Sequence, residues 1–214
     1  MIGKFCFQPN RQRFGFSDMQ MRSLVHARAN PYYLMLWLAL LGSSLVFFFL
    51  LLVFSTRIRA EDWQGFPLPQ AFVFSTITIS LSSFSLLLAN RSFFREDYGS
   101  AYRWHCITFS LAVAFCLLQV AGWARLNELG IEFRQISGAF LYILSGLHFT
   151  HILFGILGLG WILIDSYRYQ SYLEGFIQSL NPIKLTRLRL FTVFWHFVGV
   201  LWIVLFIILK VNYG

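Results

Sequence analysis

Five histidines, His26, His105, His148, His151 and His196, are the side chains of this 214-residue chain best suited to hold a metal or to move a proton near neutral pH. His148 and His151 stand three apart, so on a helix they share a face and could meet one metal ion together. Haem iron needs ligands from opposite sides of its ring, which different helices supply at matching depth. Counted along the apolar helices at about 1.5 Å per residue, only His105 and His196 come near the same level, and both lie close to one membrane interface. Gln119 gives the histidine pair a plainer use. It falls level with His148 and His151 on the neighbouring helix, where an imidazole-to-amide hydrogen bond would satisfy both groups in lipid. Gln119, His148 and His151 are therefore read first as interhelical polar contacts, with metal or catalytic chemistry as the competing reading.

The remaining reactive side chains point away from catalysis. All nine carboxylates (Asp18, Glu61, Asp62, Glu96, Asp97, Glu128, Glu132, Asp165 and Glu174) fall in tails, connections or helix ends. No acid at bilayer depth is left to relay a proton or a cation, which weakens a transporter reading built on such a relay. Cys6, Cys106 and Cys116 make an odd number without a Cys-x-x-Cys pair, so the sequence carries no disulfide framework, zinc knuckle or c-type haem attachment. They read as inert apolar thiols. The aromatic run Phe194-Trp195-His196-Phe197 with Trp202 reads as packing.

What must position these residues is a membrane bundle. Hydrophobic residues make up 57% of the chain and charged ones 12%, where a soluble domain is about a quarter charged. The apolar residues gather in five runs, at 33–56, 69–90, 104–126, 136–165 and 190–210. Each is long enough to cross a hydrocarbon core of about 30 Å, and none alternates as a barrel strand does. The fold class is all-α, an integral five-transmembrane-helix bundle spanning 33–210 behind a basic tail at 1–32. Twelve of the 17 Lys and Arg residues lie on the side of that tail and five on the other, which predicts a cytoplasmic N-terminus and an outside C-terminus. The net charge of +8 thus tracks orientation and does not call for nucleic acid. The N-terminus lacks the compact apolar stretch and small-residue cleavage site of a secretory leader, and no anchor pattern surrounds Cys6. In the second run Thr76, Ser80 and Ser83 share a face; the fourth carries Gly138, Gly146, Gly155, Gly158 and Gly160. Both are expected to be close-packing surfaces. Asn181-Pro182 is expected to break any interfacial helix in the long connection from Ser166 to Arg189.

The fourth run also carries a pattern. The stretch from Gly138 through Tyr142, Ser145, Gly146 and His148, followed by His151 and Gly155, resembles the (F)Y-x-(L)-(T/S)-G-x-H-x-x-H-x-x-x-G signature of haem-copper oxidase subunit III. Three more segments are similar to that family in the same order: Ser75 to Ser83, Phe109 to Gln119, and Phe194-Trp195-His196-Phe197-Val198 with Trp202. The resemblance covers roughly residues 33 to 210 and matches the shorter bacterial form, which lacks the first two of seven helices. It implies a non-catalytic subunit without cofactors of its own. Such a subunit packs beside subunit I, which houses the haems and copper, with subunit II in the same complex and phospholipid in a cleft between its helices. Candidate headgroup contacts are Arg91, Arg95, His105, Arg187, Arg189 and His196. The sequence departs from the family at three intramembrane acids: Gly122 stands near one, Gly199 replaces another, and Ser43-Ser44 is the nearest match to the third.

The expected function is a structural, lipid-binding subunit of a proton-translocating terminal oxidase in the bacterial cytoplasmic (inner) membrane, with cytochrome c as donor. Within the family the alternatives are subunit III of a quinol oxidase and the accessory subunit of nitric oxide reductase. Outside it stand a membrane b-type cytochrome using His105 and His196, and a small-solute transporter.

Overall fold

Backbone amides in lipid have no water to bond, so each apolar run has to satisfy its own N–H and C=O groups, and it does so as a helix. The computed structural model describes residues 31–58, 66–167 and 182–213. It contains α1 (Pro31–Arg57), α2 (Gln70–Phe94), α3 (Tyr98–Glu128), α4 (Ile136–Tyr167) and α5 (Pro182–Tyr213). All five are long and apolar enough to cross a membrane, and no strand occurs among the described residues. The basic tail up to residue 30, Cys6, His26, Glu61, Asp62, Arg168, Glu174 and Asn181 lie outside the described residues.

The helices outrun the apolar stretches that announced them. At 25 to 32 residues they measure about 38–48 Å, longer than the hydrocarbon core. Helix α3 starts at Tyr98, six residues before the apolar run, because Asp97 caps it by accepting a 3.0 Å hydrogen bond from the Ser100 amide. Helix α5 runs from Pro182, a residue with no N–H to leave unpaired in a first turn, and the connection in which Asn181-Pro182 was expected to break a helix lies mostly outside the described residues. Arg95 and Glu96 form the tight turn between α2 and α3, with Glu96 at a φ of 63°.

Helices α2 to α5 form one packed group and α1 leans on its α4 and α5 side. The core between them holds Phe115, Leu141, Ile152, Trp195 and Trp202, each essentially inaccessible. Helix α1 inserts Leu40, Phe47 and Phe54, spaced seven residues apart, packs Leu50 and Leu51 beside them and turns most of its remaining surface outward. Only 11% of its most apolar stretch is buried, against 33% in α2, α3 and α5.

Glycine makes two of the helix contacts close. A Cβ on Gly155 would come within 2.7 Å of the Trp195 ring, and one on Gly138 within 2.5 Å of the Glu132 carbonyl oxygen. Gly146, by contrast, has nothing within 4 Å of where its Cβ would stand, so the glycine run of α4 is not a single packing face. The hydroxyls of α2 also divide otherwise than expected. Ser75, Ser82 and Ser85 form the fully buried face, while Ser80 is exposed and caps only its own helix by donating to the Thr76 carbonyl.

Candidate functional site

Several of the polar groups at bilayer depth join helices. Trp195 Nε1 donates to Ser82 Oγ at 2.9 Å and Trp202 Nε1 to Thr76 Oγ1 at 3.0 Å, tying α5 to α2. Thr108 donates to Ser85 Oγ at 3.0 Å between α3 and α2, and Trp123 Nε1 to Ser145 Oγ at 3.0 Å between α3 and α4. These pairs were not singled out in the sequence. Indole N–H has one proton and needs one acceptor, so a buried tryptophan near a hydroxyl helix is the signal that could have found them.

The predicted trio separates. Gln119 is fully buried, but its Nε2 donates to Ser75 Oγ at 3.0 Å, across to α2, and not to either histidine. The expected imidazole–amide bond is therefore corrected: the rotation of α3 turns Gln119 toward the serine face of α2. His151 spends both nitrogens elsewhere. Its Nδ1–H donates to the Leu147 carbonyl at 2.8 Å, which leaves Nε2 to accept from Ser43 Oγ at 2.9 Å and ties α4 to α1. His148 is fully buried and neither ring nitrogen has a hydrogen-bond partner among the described residues. It is held by rings, with Trp202 at 4.9 Å and Phe115 at 5.8 Å between centroids.

The second predicted set also divides. At the arginine-rich end, a cavity of about 100 Å³ opens between α2, α3, α4 and α5, with Phe93, His105, Trp161 and Leu188 in its walls. Lys184 and Arg187 line it too, and Lys184 forms an ion pair of 2.8 Å with Asp165. Of the six candidate headgroup contacts it brings together His105 and Arg187, and it adds Lys184, which the sequence analysis passed over. Arg91, Arg95 and Arg189 are exposed at the same end without lining it. His196 stands eight residues beyond Leu188 on α5, about 12 Å along the helix. His105 and His196 are thus not level, and the pairing on which the b-type cytochrome alternative depended is lost. Counted from the helix starts at Tyr98 and Pro182, His105 is about 10 Å in and His196 about 21 Å, a gap that was already about 7 Å when counted from the apolar starts at 104 and 190. Among the described residues no three His, Cys, Asp or Glu side chains cluster as a metal site.

The chain is similar across most of its length to known oxidase subunits. A probable cytochrome c oxidase subunit 3 of Mycobacterium tuberculosis is 25% identical over 206 residues, 91% of this chain and 96% of the relative. Cytochrome c oxidase subunit 3 of Thermostichus vulcanus is 28% identical over 137 residues, 64% of this chain and 63% of its own. The cytochrome bo(3) ubiquinol oxidase subunit 3 of Buchnera aphidicola is 30% identical over 188 residues, 83% of this chain and 84% of its own. The chain belongs to the haem-copper oxidase subunit III family. No family model matches it.

Membership sharpens the departures. The seats of two acids expected in a subunit III are closed here: a Cβ on Gly122 would meet the Phe72 ring at 2.9 Å, and one on Gly199 would meet Ser83 Oγ at 2.9 Å. At the third, Ser44 donates back to the Leu40 carbonyl at 2.8 Å while Ser43 takes His151. Where the resemblance leads one to expect carboxylates, this subunit III has neutral groups and close packing.

Proposed function

We propose that this chain is the structural, lipid-binding subunit of a proton-translocating terminal oxidase, seated in the bacterial inner membrane beside a haem-bearing subunit I, with subunit II in the same complex. Haems and copper belong to those partners and this chain carries none. The observation that carries the reading is the use of its intramembrane polar side chains. Tryptophans, serines, threonines and Gln119 bond helix to helix, and His148 is walled in by rings. Catalysis needs a group poised toward a substrate, whereas these groups face one another. The charge asymmetry supports a cytoplasmic position for the arginine-rich end, with its cavity. There Lys184, Arg187 and the exposed Arg91, Arg95 and Arg189 would meet anionic headgroups.

The bo(3) relatives support a second reading, subunit III of a quinol oxidase. The donor is decided by the companion chains, since nothing in either reading makes this subunit touch it.

Affinity purification of the tagged chain from its native membrane tests the reading. A larger haem-bearing subunit is expected to co-purify, and the chain stripped from it is expected to show no Soret band. A stoichiometric haem spectrum in the separated chain, or isolation of the chain alone from gently solubilised membranes, would overturn it.

A further inference from the structure

At the end opposite the arginine-rich one, the connection between α3 and α4 is fastened by several hydrogen bonds. Gly130 takes a φ of 74° to reverse the chain, and the Ile131 amide donates back to the Leu126 carbonyl at 3.1 Å. Tyr142 Oη donates to the Ile131 carbonyl at 3.2 Å, and Gln135 Nε2 to that of Gly130 at 3.2 Å. Gly138 lets α4 press against the Glu132 carbonyl. Yet this braced turn holds out a phenyl ring: Phe133 is 62% exposed. Beside it lies an open cleft of about 490 Å³, lined by Trp123, Asn127, Glu132, Phe133 and Tyr142 among others. Phe133 and Tyr142 stand 6.4 Å apart between centroids and are tilted 47° to each other. Glu132 is exposed and forms no ion pair among the described residues, whereas Glu128 nearby is engaged by Arg125 at 2.6 Å.

Three aromatic rings and one free carboxylate share a single cleft that contains no cationic side chain. Ring faces attract a cation through their quadrupole, and most strongly a soft, weakly hydrated one such as an alkylammonium. The carboxylate adds charge of the same sense and repels an anion. A divalent metal would need several oxygens, and here one carboxylate and one amide are on hand. Val120 lines the cleft and is 50% exposed, and Leu117, one turn further along α3, is 66% exposed, which gives an acyl chain an apolar surface to follow. We propose that this cleft binds the ammonium headgroup of a zwitterionic phospholipid, with Trp123, Phe133 and Tyr142 around the cation and Glu132 as its counter-charge. The site differs in place and in headgroup charge from the cationic end of the molecule, and it stands whether or not the oxidase reading does.

The full chain in detergent, loaded with equal amounts of phosphatidylcholine and phosphatidylglycerol of identical acyl chains, tests this by native mass spectrometry. Retained lipid is expected to favour phosphatidylcholine, and Glu132→Gln and Phe133→Leu are each expected to cut that preference about fivefold. Both positions are exposed, and the unfolding midpoint of each variant serves as the check on folding. A second readout separates headgroup binding from general lipid adhesion: saturation transfer from the protein to the methyl protons of free choline is expected in the wild type and lost in both variants. Equal retention of the two lipids together with no transfer from choline would overturn the site, as would variants that leave both signals unchanged.

Discussion

Helix α1 and the four helices behind it are all apolar enough to cross a membrane and are held by different means. Helices α2 to α5 are joined by indole, hydroxyl and amide bonds, and Gly155 lets Trp195 lie flat against α4. Helix α1 is held by three fully buried apolar knobs, by Leu50 and Leu51 beside them, and by the bond from Ser43 to His151. Lipid tails are as apolar as leucine, so hydrophobicity puts a helix in the membrane without saying what it packs against. Shape and polar partners decide that, and α1 has the fewest of either. In the proposed complex, α1 is the helix whose position depends most on surrounding lipid and neighbouring chains.

The largest expected effect contrasts two glycines. Gly155→Val is expected to destabilise the bundle by about 1–3 kcal/mol, the usual cost of overpacking, because Trp195 cannot swing aside without giving up Ser82. Gly42→Val on α1 meets open space and is expected to change stability by less than about 0.5 kcal/mol. Equilibrium unfolding of both variants in SDS is the measurement. A loss at Gly42 as large as that at Gly155 would erase the distinction between the two regions.

Smaller effects sharpen the same contrast. Gln119→Leu removes a buried bond between α2 and α3, and Ser43→Ala removes the bond that anchors α1; each is expected to cost about 0.6 kcal/mol and at most about 1.7. Their readouts differ. Gln119→Leu lowers the unfolding midpoint of the whole bundle. Ser43→Ala instead loosens α1 alone, seen as slower disulfide cross-linking between cysteines placed on α1 and α4. His148→Phe breaks no hydrogen bond and keeps an aromatic ring between Phe115 and Trp202, so assembly and turnover of the oxidase are expected to stay near normal. Turnover abolished in fully assembled complex would give His148 a chemical role.

These side chains also mark where the sequence stops being legible. Five apolar runs announce five helices, because only a helix of about 20 apolar residues can cross lipid without unpaired amides. They do not announce the helix ends. Tyr98 to Arg103 and Pro182 to Arg189 are helical outside the apolar runs, so hydropathy finds the membrane and capping finds the helix. The depth of Gln119 was readable from its place in α3, but its partner was not. Phe115, one turn from Gln119 on α3, meets His148 while Gln119 itself bonds Ser75, and residue spacing alone does not choose between those partners. Histidine levels were blurred by the same ends: α3 and α5 begin six and eight residues before their apolar runs, shifts of about 9 and 12 Å that nearly cancel and widen the gap between His105 and His196 by only about 3 Å. The ammonium cleft left no periodic trace, since Trp123, Glu132, Phe133 and Tyr142 meet only once the turn at Gly130 has closed.

The smallest effect belongs to the turn that joins α2 to α3. The Ser100 hydroxyl and amide hold the exposed Asp97 carboxyl below the ordinary carboxylate range by bonding its charged form. A carboxyl whose folded pKa is depressed adds its stability above the unfolded value of about 3.9 and loses it as pH falls through the lower folded value. The wild-type bundle is therefore expected to hold the cap down to about pH 4 and to lose it only in stronger acid. Asp97→Asn keeps an oxygen acceptor for the Ser100 amide but carries no titrating charge, so the difference in unfolding midpoint between variant and wild type should be constant from pH 7 to about 5 and shrink below that. A gap that widens in acid would mean that the carboxylate opposes folding, and α3 would then owe its early start to some group other than Asp97.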